Sequence, residues 1–168
     1  MSGKTRLITT SALMMSLSVV FLYLSGVFES MQLVFVAASS LFVTAQVIEN
    51  GLRGGAFVAV GSALLGALIV PDKTSVILYV LFFGYYPLVK SLAERQKSFV
   101  AQWAIKLAVM GAAMAVILYF FGELIFSVST FKYGIWVLAA LFALDFILFD
   151  IGLTQLISLY MHRIHNRK

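Results

Sequence analysis

Cysteine is absent from the 168 residues, so no disulfide framework, thiolate nucleophile or cysteine-based metal site enters the argument. Charge is nearly as scarce: 11% of the residues are charged, against about 25% in a typical soluble domain. Histidine occurs only as His162 and His165, inside the basic tail MHRIHNRK, which reads as a solvated end rather than a metal pair. Nucleotide-binding loops, H-E-x-x-H, G-x-S-x-G and acid pairs at hydrolase spacing are all missing. These absences exclude a primary ATPase and leave no catalytic residue, cofactor or metal to assign, so the chain reads as a non-enzyme.

What fills the space is apolar. Hydrophobic residues make up 62% of the chain and the mean hydropathy is +1.02, more apolar surface than a soluble core of this size can hide. Crossing the hydrocarbon as a helix takes about 20 apolar residues. Cutting the chain where charges, Gly and Pro interrupt the runs gives six segments, at about 7–28, 31–48, 54–70, 74–89, 100–121 and 133–160. The connections are too short for linkers, so the expectation is an all-α membrane protein, one bundle of six transmembrane helices over residues 1–168, in contact with membrane lipids.

The basic residues supply orientation, because Lys and Arg are retained on the cytoplasmic side. With the N-terminus inside, that side collects Lys4, Arg6, Arg53, Lys90, Arg95, Lys97, Arg163, Arg167 and Lys168, and the outside keeps Lys73 and Lys132. This distribution predicts a multi-pass protein of the cell membrane with both termini cytoplasmic. It also removes nucleic acid as a partner, since the pI near 9.6 comes from residues set between apolar spans rather than on a soluble face. The opening basic residues and apolar run could belong to a signal peptide, but the run is long and no A-x-A site follows, so the first helix is expected to be retained.

Small residues let membrane helices approach closely. Gly55, Ala59, Ala63 and Ala67 recur every four residues and are expected to form one smooth stripe on the third span; Ala108, Ala112 and Ala115, with Gly111 beside them, mark the fifth. On the first helix Ala12 and Ser16 share the spacing, with Ser11 and Ser18 nearby. Such stripes either bind the protein's own helices or face another membrane protein. Pro87, with Gly84 loosening the same turn, is expected to end or kink the fourth span, with Tyr85 and Tyr86 as interfacial anchors.

Ionisable groups inside a bilayer are costly and mark sites. Lys106 and Asp150 lie about nine and eleven residues from the same boundary, so their depths agree within one turn, and they are expected to form an intramembrane ion pair. Asp145 has no depth-matched cation. At the opposite boundary Tyr79, Tyr119, Glu123, Lys132, Tyr133 and Trp136 gather, with Phe126, Asp72, Lys73, Glu29 and Gln32. They read either as an aromatic belt with loop charges or as a pocket for a small flat or amphipathic metabolite.

The opening KTRLITTSALMMSLSVVFLYLSG, with Ala12 and Ser16 at A-x-x-x-A spacing, and the segment GLRGGAFVAVGSALLGALIVP resemble the first and third helices of substrate-binding S components of energy-coupling factor (ECF) transporters. The six-helix layout at this length is also similar. The resemblance implies uptake of a vitamin or similar small metabolite, a transmembrane coupling subunit docking on Ala12 and Ser16, and separate cytoplasmic ATPase subunits. The chain departs from that pattern in carrying Ser16 rather than alanine and lacks a vitamin-specific signature. Its size and helix count are also similar to MreD, the rod-shape-determining scaffold of the cell-wall elongation machinery.

Overall fold

The computed structural model describes residues 3–96, 98–127 and 134–164. Among them all regular structure is helical: α1 (Gly3–Val27), a 3₁₀ turn (Glu29–Met31), α2 (Gln32–Ile69), α3 (Lys73–Leu78), a π-helical turn (Tyr79–Phe83), α4 (Tyr86–Ala93), α5 (Phe99–Ser127) and α6 (Gly134–Ile164). Thr5–Val27, Glu29–Ile69 and Lys73–Ala93 are long and apolar enough to cross a membrane. The all-helical class and a chain compatible with a membrane protein follow directly. Lys97, Arg167 and Lys168 lie outside the described residues.

The described residues group into two compact units, Met1–Lys106 and Leu107–Lys168. In the first, α2 consists of two helical arms joined across a kink. Gly51 stands at φ 74°, ψ −173°, a region open to glycine and hardly any other residue. The chain reverses there. Gly54 packs against Gln46 and Asn50, and Gly55 against Val47 and Leu88, so 52–69 folds back along 32–50. A straight 38-residue helix would run about 57 Å, whereas each arm rises roughly 27–29 Å, close to the ~30 Å hydrocarbon. The sequence places a connection between residues 48 and 54; in the structure a single residue makes the break.

The contacts of α1 fix the directions. Phe28 stacks on Phe35, Phe21 packs on Phe42 at 5.2 Å between ring centroids, and Ser11 meets Gln46, so α1 runs antiparallel to 32–50. Met15 covers Gly61 and Leu22 covers Gly66, so α1 runs parallel to 52–69. The segment 73–93 returns beside 52–69, with Val76 near Gly66 and Leu88 near Gly55. The first unit is therefore four apolar rods of alternating direction.

The stripe on the second arm of α2 differs from its expectation. Gly55 and Ala59 are buried, but above them the buried face passes to Ser62, Gly66 and Val70, while Ala63 is half-buried and Ala67 exposed. The reason is helical pitch: at about 100° per residue a strict four-residue spacing drifts by ~40° per step, and three steps carry Ala67 off the face.

The reversal at residues 70–73 is tightly capped. Val70 is extended at φ −76°, ψ 122°, as the residue before a proline prefers. Lys73 Nζ donates to the carbonyls of Ala67 and Val70, each at 2.8 Å, closing the carboxyl end of α2. Asp72 caps α3 by accepting from the Thr74 and Ser75 amides.

Pro87 is open to two readings, an end or a kink; the helix does not end there, and the regular α-helix is interrupted just before it. The proline lies in the first turn of α4, where a missing N–H costs little, and the helix continues to Ala93. The preceding π turn, closed by Gly84 N–H donating to the Tyr79 carbonyl at 2.7 Å, absorbs the change in register. The carboxyl ends of α5 and α6, at Ser127 and Ile164, also extend beyond the spans 100–121 and 133–160 read from the sequence.

Candidate functional site

Polar side chains inside the first unit occur at four levels along the rods. At the Asp72 end, Asp72 Oδ2 accepts from Gln32 Nε2 at 2.7 Å, from Ser75 Oγ at 2.6 Å and from the Ser75 amide at 2.9 Å. Partial burial pushes the Asp72 carboxyl up, but the bonds from Ser75 and Thr74 outweigh it and hold the group below 3.8. Two members of the sequence cluster, Gln32 and Asp72, are thus joined.

The second level centres on Tyr79. It is wholly buried, its ring against Gly84, where any Cβ would come within 2.8 Å of Cε1. Its hydroxyl lies beside those of Ser18 and Ser62, from α1 and the second arm of α2. At the third level Gln46 Nε2 donates to Ser11 Oγ at 2.6 Å, and Asn50 Nδ2 to Thr10 Oγ1 at 3.3 Å.

The fourth level is ionic. Glu94 Oε1 receives Lys90 Nζ at 3.1 Å and Lys106 Nζ at 3.6 Å, and Lys106 lies 5.8 Å from the Trp103 ring centroid. Both lysines are buried, whereas the Glu94 side chain is 41% exposed. The one carboxylate therefore ties α4 to the opening turns of α5.

Other residues singled out in the sequence fall as follows. Ala12 and Ser16 are exposed on α1, with Leu13, Leu17 and Val20, while Ser11, Ser18, Leu22 and Ser25 form its buried face. Ser16 Oγ donates to the Ala12 carbonyl at 2.9 Å, so this face is polar only toward its own backbone. In the second unit Asp150 and Phe146 are buried, Asp145 is exposed, and Thr154 Oγ1 donates to the Asp150 carbonyl at 2.8 Å. Tyr119 is exposed there. Lys132 and Tyr133 lie outside the described residues, as do the side chains of Glu123, Phe126 and Trp136. No group of three metal-ligating side chains occurs among the described residues.

Sequence reasoning passed over Ser62, Gln46 and Glu94 as site residues. The signal for the buried face was present: Ser11, Ser18 and Ser25 repeat at seven-residue spacing, the period that holds one helix face against a neighbour. Glu94 carried no comparable signal. It sits in a polar stretch, and only folding of α4 against α5 gives it two cations.

Comparison of the chain with protein-family models, curated proteins and solved structures returns no match.

Proposed function

We propose that this chain is a six-span membrane subunit, both termini cytoplasmic, that binds a small metabolite for uptake and docks through α1 on a transmembrane coupling subunit served by separate ATPases. The observation that carries the reading is the division of α1: its serines at seven-residue spacing are buried, while Ala12 and Ser16 face outward. Small residues pointing away from the protein's own helices suit close approach by another membrane helix. The resemblance to ECF S components supports the same assignment. The two arms of α2, each of membrane length, support an alternating course through the bilayer, and the basic residues support its orientation. In this reading Tyr119, Glu123, Lys132, Tyr133 and Trp136 line the substrate site at the outer boundary.

One observation favours the scaffold alternative, an MreD-like protein: Tyr79, the aromatic nearest that boundary on the fourth span, is taken into the helix core instead of lining a cleft.

The deciding experiment is purification from the native membrane with mass spectrometry of co-purified small molecules and proteins. A stoichiometric metabolite together with a coupling subunit supports uptake, with Ala12→Leu or Ser16→Leu expected to weaken subunit recovery at least tenfold while metabolite retention stays unchanged. Recovery of wall-synthesis proteins with no metabolite overturns it.

A further inference from the structure

The arginines of the first unit all stand at one end of it. Arg6 lies on the opening turns of α1, Arg53 follows the Gly51 reversal, and Arg95 follows α4. Their relative heights are fixed by Met15 against Gly61 and Leu88 against Gly55. At 1.5 Å of rise per residue, Arg6 and Arg53 come to the same depth within ~2 Å, and Arg95 stands about 7 Å farther out. The polar layer on each side of the hydrocarbon is about 5–7 Å deep, so one such layer takes in all three.

These arginines are exposed, and among the described residues none of their guanidinium groups has an ion pair or a hydrogen bond. The acids at this end are engaged elsewhere: Glu94 receives Lys90 and Lys106, and Glu49 has an interaction of its own. The opposite end differs, because the ammonium of Lys73 there closes the carboxyl end of α2. On the hydrocarbon side of Arg53 and Arg95 stand Phe57 and Leu92, four and three residues away and so on the same helix face. They are 59% and 49% exposed.

We propose that Arg6, Arg53 and Arg95 form a docking surface for the headgroups of anionic phospholipids. A guanidinium presents paired N–H donors that match the oxygens of a phosphate, and the exposed apolar side chains beneath receive the acyl chains of the same molecule. An acidic soluble protein would leave Phe57 and Leu92 without a counterpart. Since α1, the second arm of α2 and the end of α4 each contribute one arginine, bound lipid ties three rods together at one end. The surface rests on the membrane course of the chain and is independent of uptake and of the coupling subunit.

The test places the full chain in phosphatidylcholine vesicles carrying a trace of spin-labelled phosphatidylglycerol or, in parallel, of spin-labelled phosphatidylcholine, and reads the fraction of each probe that the protein immobilises. The wild type should prefer phosphatidylglycerol severalfold, and less so at high salt. Arg6→Gln/Arg53→Gln/Arg95→Gln should remove most of that preference, whereas lysine at the same three positions should keep most of it. Equal immobilisation of the two probes by inserted wild type, or a preference untouched by the glutamine variant, would overturn the surface. Capture of an acidic soluble protein with no lipid preference would do the same and assign a protein partner. A chain stripped from the vesicles by alkaline carbonate would overturn the membrane course, and the surface with it. The wild-type preference and its salt dependence stand without the variants, so misfolding of a variant leaves the test intact.

Discussion

Gln46 Nε2 donates to Ser11 Oγ at 2.6 Å between two wholly buried side chains, binding the first arm of α2 to α1 one turn before the chain reverses. Interhelical bonds of this kind in membranes average about 0.6 kcal/mol and reach ~1.7. We expect Ser11→Ala and Gln46→Leu each to lower stability by about 1–2 kcal/mol, and the double variant to lose less than the sum, because it strands neither partner. Reversible unfolding in mixed micelles measures the cycle; strictly additive losses would show that the bond contributes nothing.

Gly51 tests the reversal itself. A Cβ there meets nothing within 4 Å, so Gly51→Ala fails or succeeds on backbone conformation alone, and we expect a cost of about 1–3 kcal/mol. Gly51→Asn should not rescue it, since ψ −173° lies far from the left-handed helical region that asparagine tolerates. Gly111→Ala, in an open helical position, is the control and should be neutral or stabilising. Equal behaviour of Gly51→Ala and Gly111→Ala in a thermal melt would disprove the strain at the reversal.

Asp72 gives a pH dependence with a definite sign. Its carboxyl is held below 3.8 by Ser75 and Thr74, so its contribution is present above that value and is lost as pH falls through the folded-state value. Asp72→Ala should cost about 0.5–2 kcal/mol at neutral pH, as the loss of a helix cap does. The gap between wild type and variant should narrow below pH ~4. A gap unchanged between pH 7 and pH 3 would contradict the capping role.

Lys106 has two candidate acids. Glu94 is 3.6 Å away but largely open to screening, so a Lys106→Met/Glu94→Gln cycle should show coupling of at most about 1 kcal/mol. Asp150 is nominated by its matching depth in the sequence alone, and a Lys106→Met/Asp150→Asn cycle tests that expectation, a pair being expected to show coupling of several kcal/mol. Additivity in the second cycle would sever that pair and leave Asp150 for ligand or proton chemistry.

Composition and hydropathy alone determined that this chain is helical and apolar over membrane-length segments, because burial of so much hydrocarbon admits few other solutions and helices satisfy their own backbone bonds. The break near residues 49–51 was legible for the same reason, through Glu49, Asn50 and Gly51 interrupting the run. Tertiary structure decided what local spacing could not. Which serines of α1 turn inward depends on where α2 lies, and the rotation of a 3.6-residue helix takes Ala67 off a face that residue counting assigns to it. Pro87 reads as a stop or a kink in isolation; in the structure the π turn before it, with Gly84 against the Tyr79 ring, leaves it in the first turn of α4. Glu94 acquires Lys90 through local helix geometry, but it meets Lys106 only because the chain folds back between α4 and α5, a contact across twelve residues that no periodicity encodes.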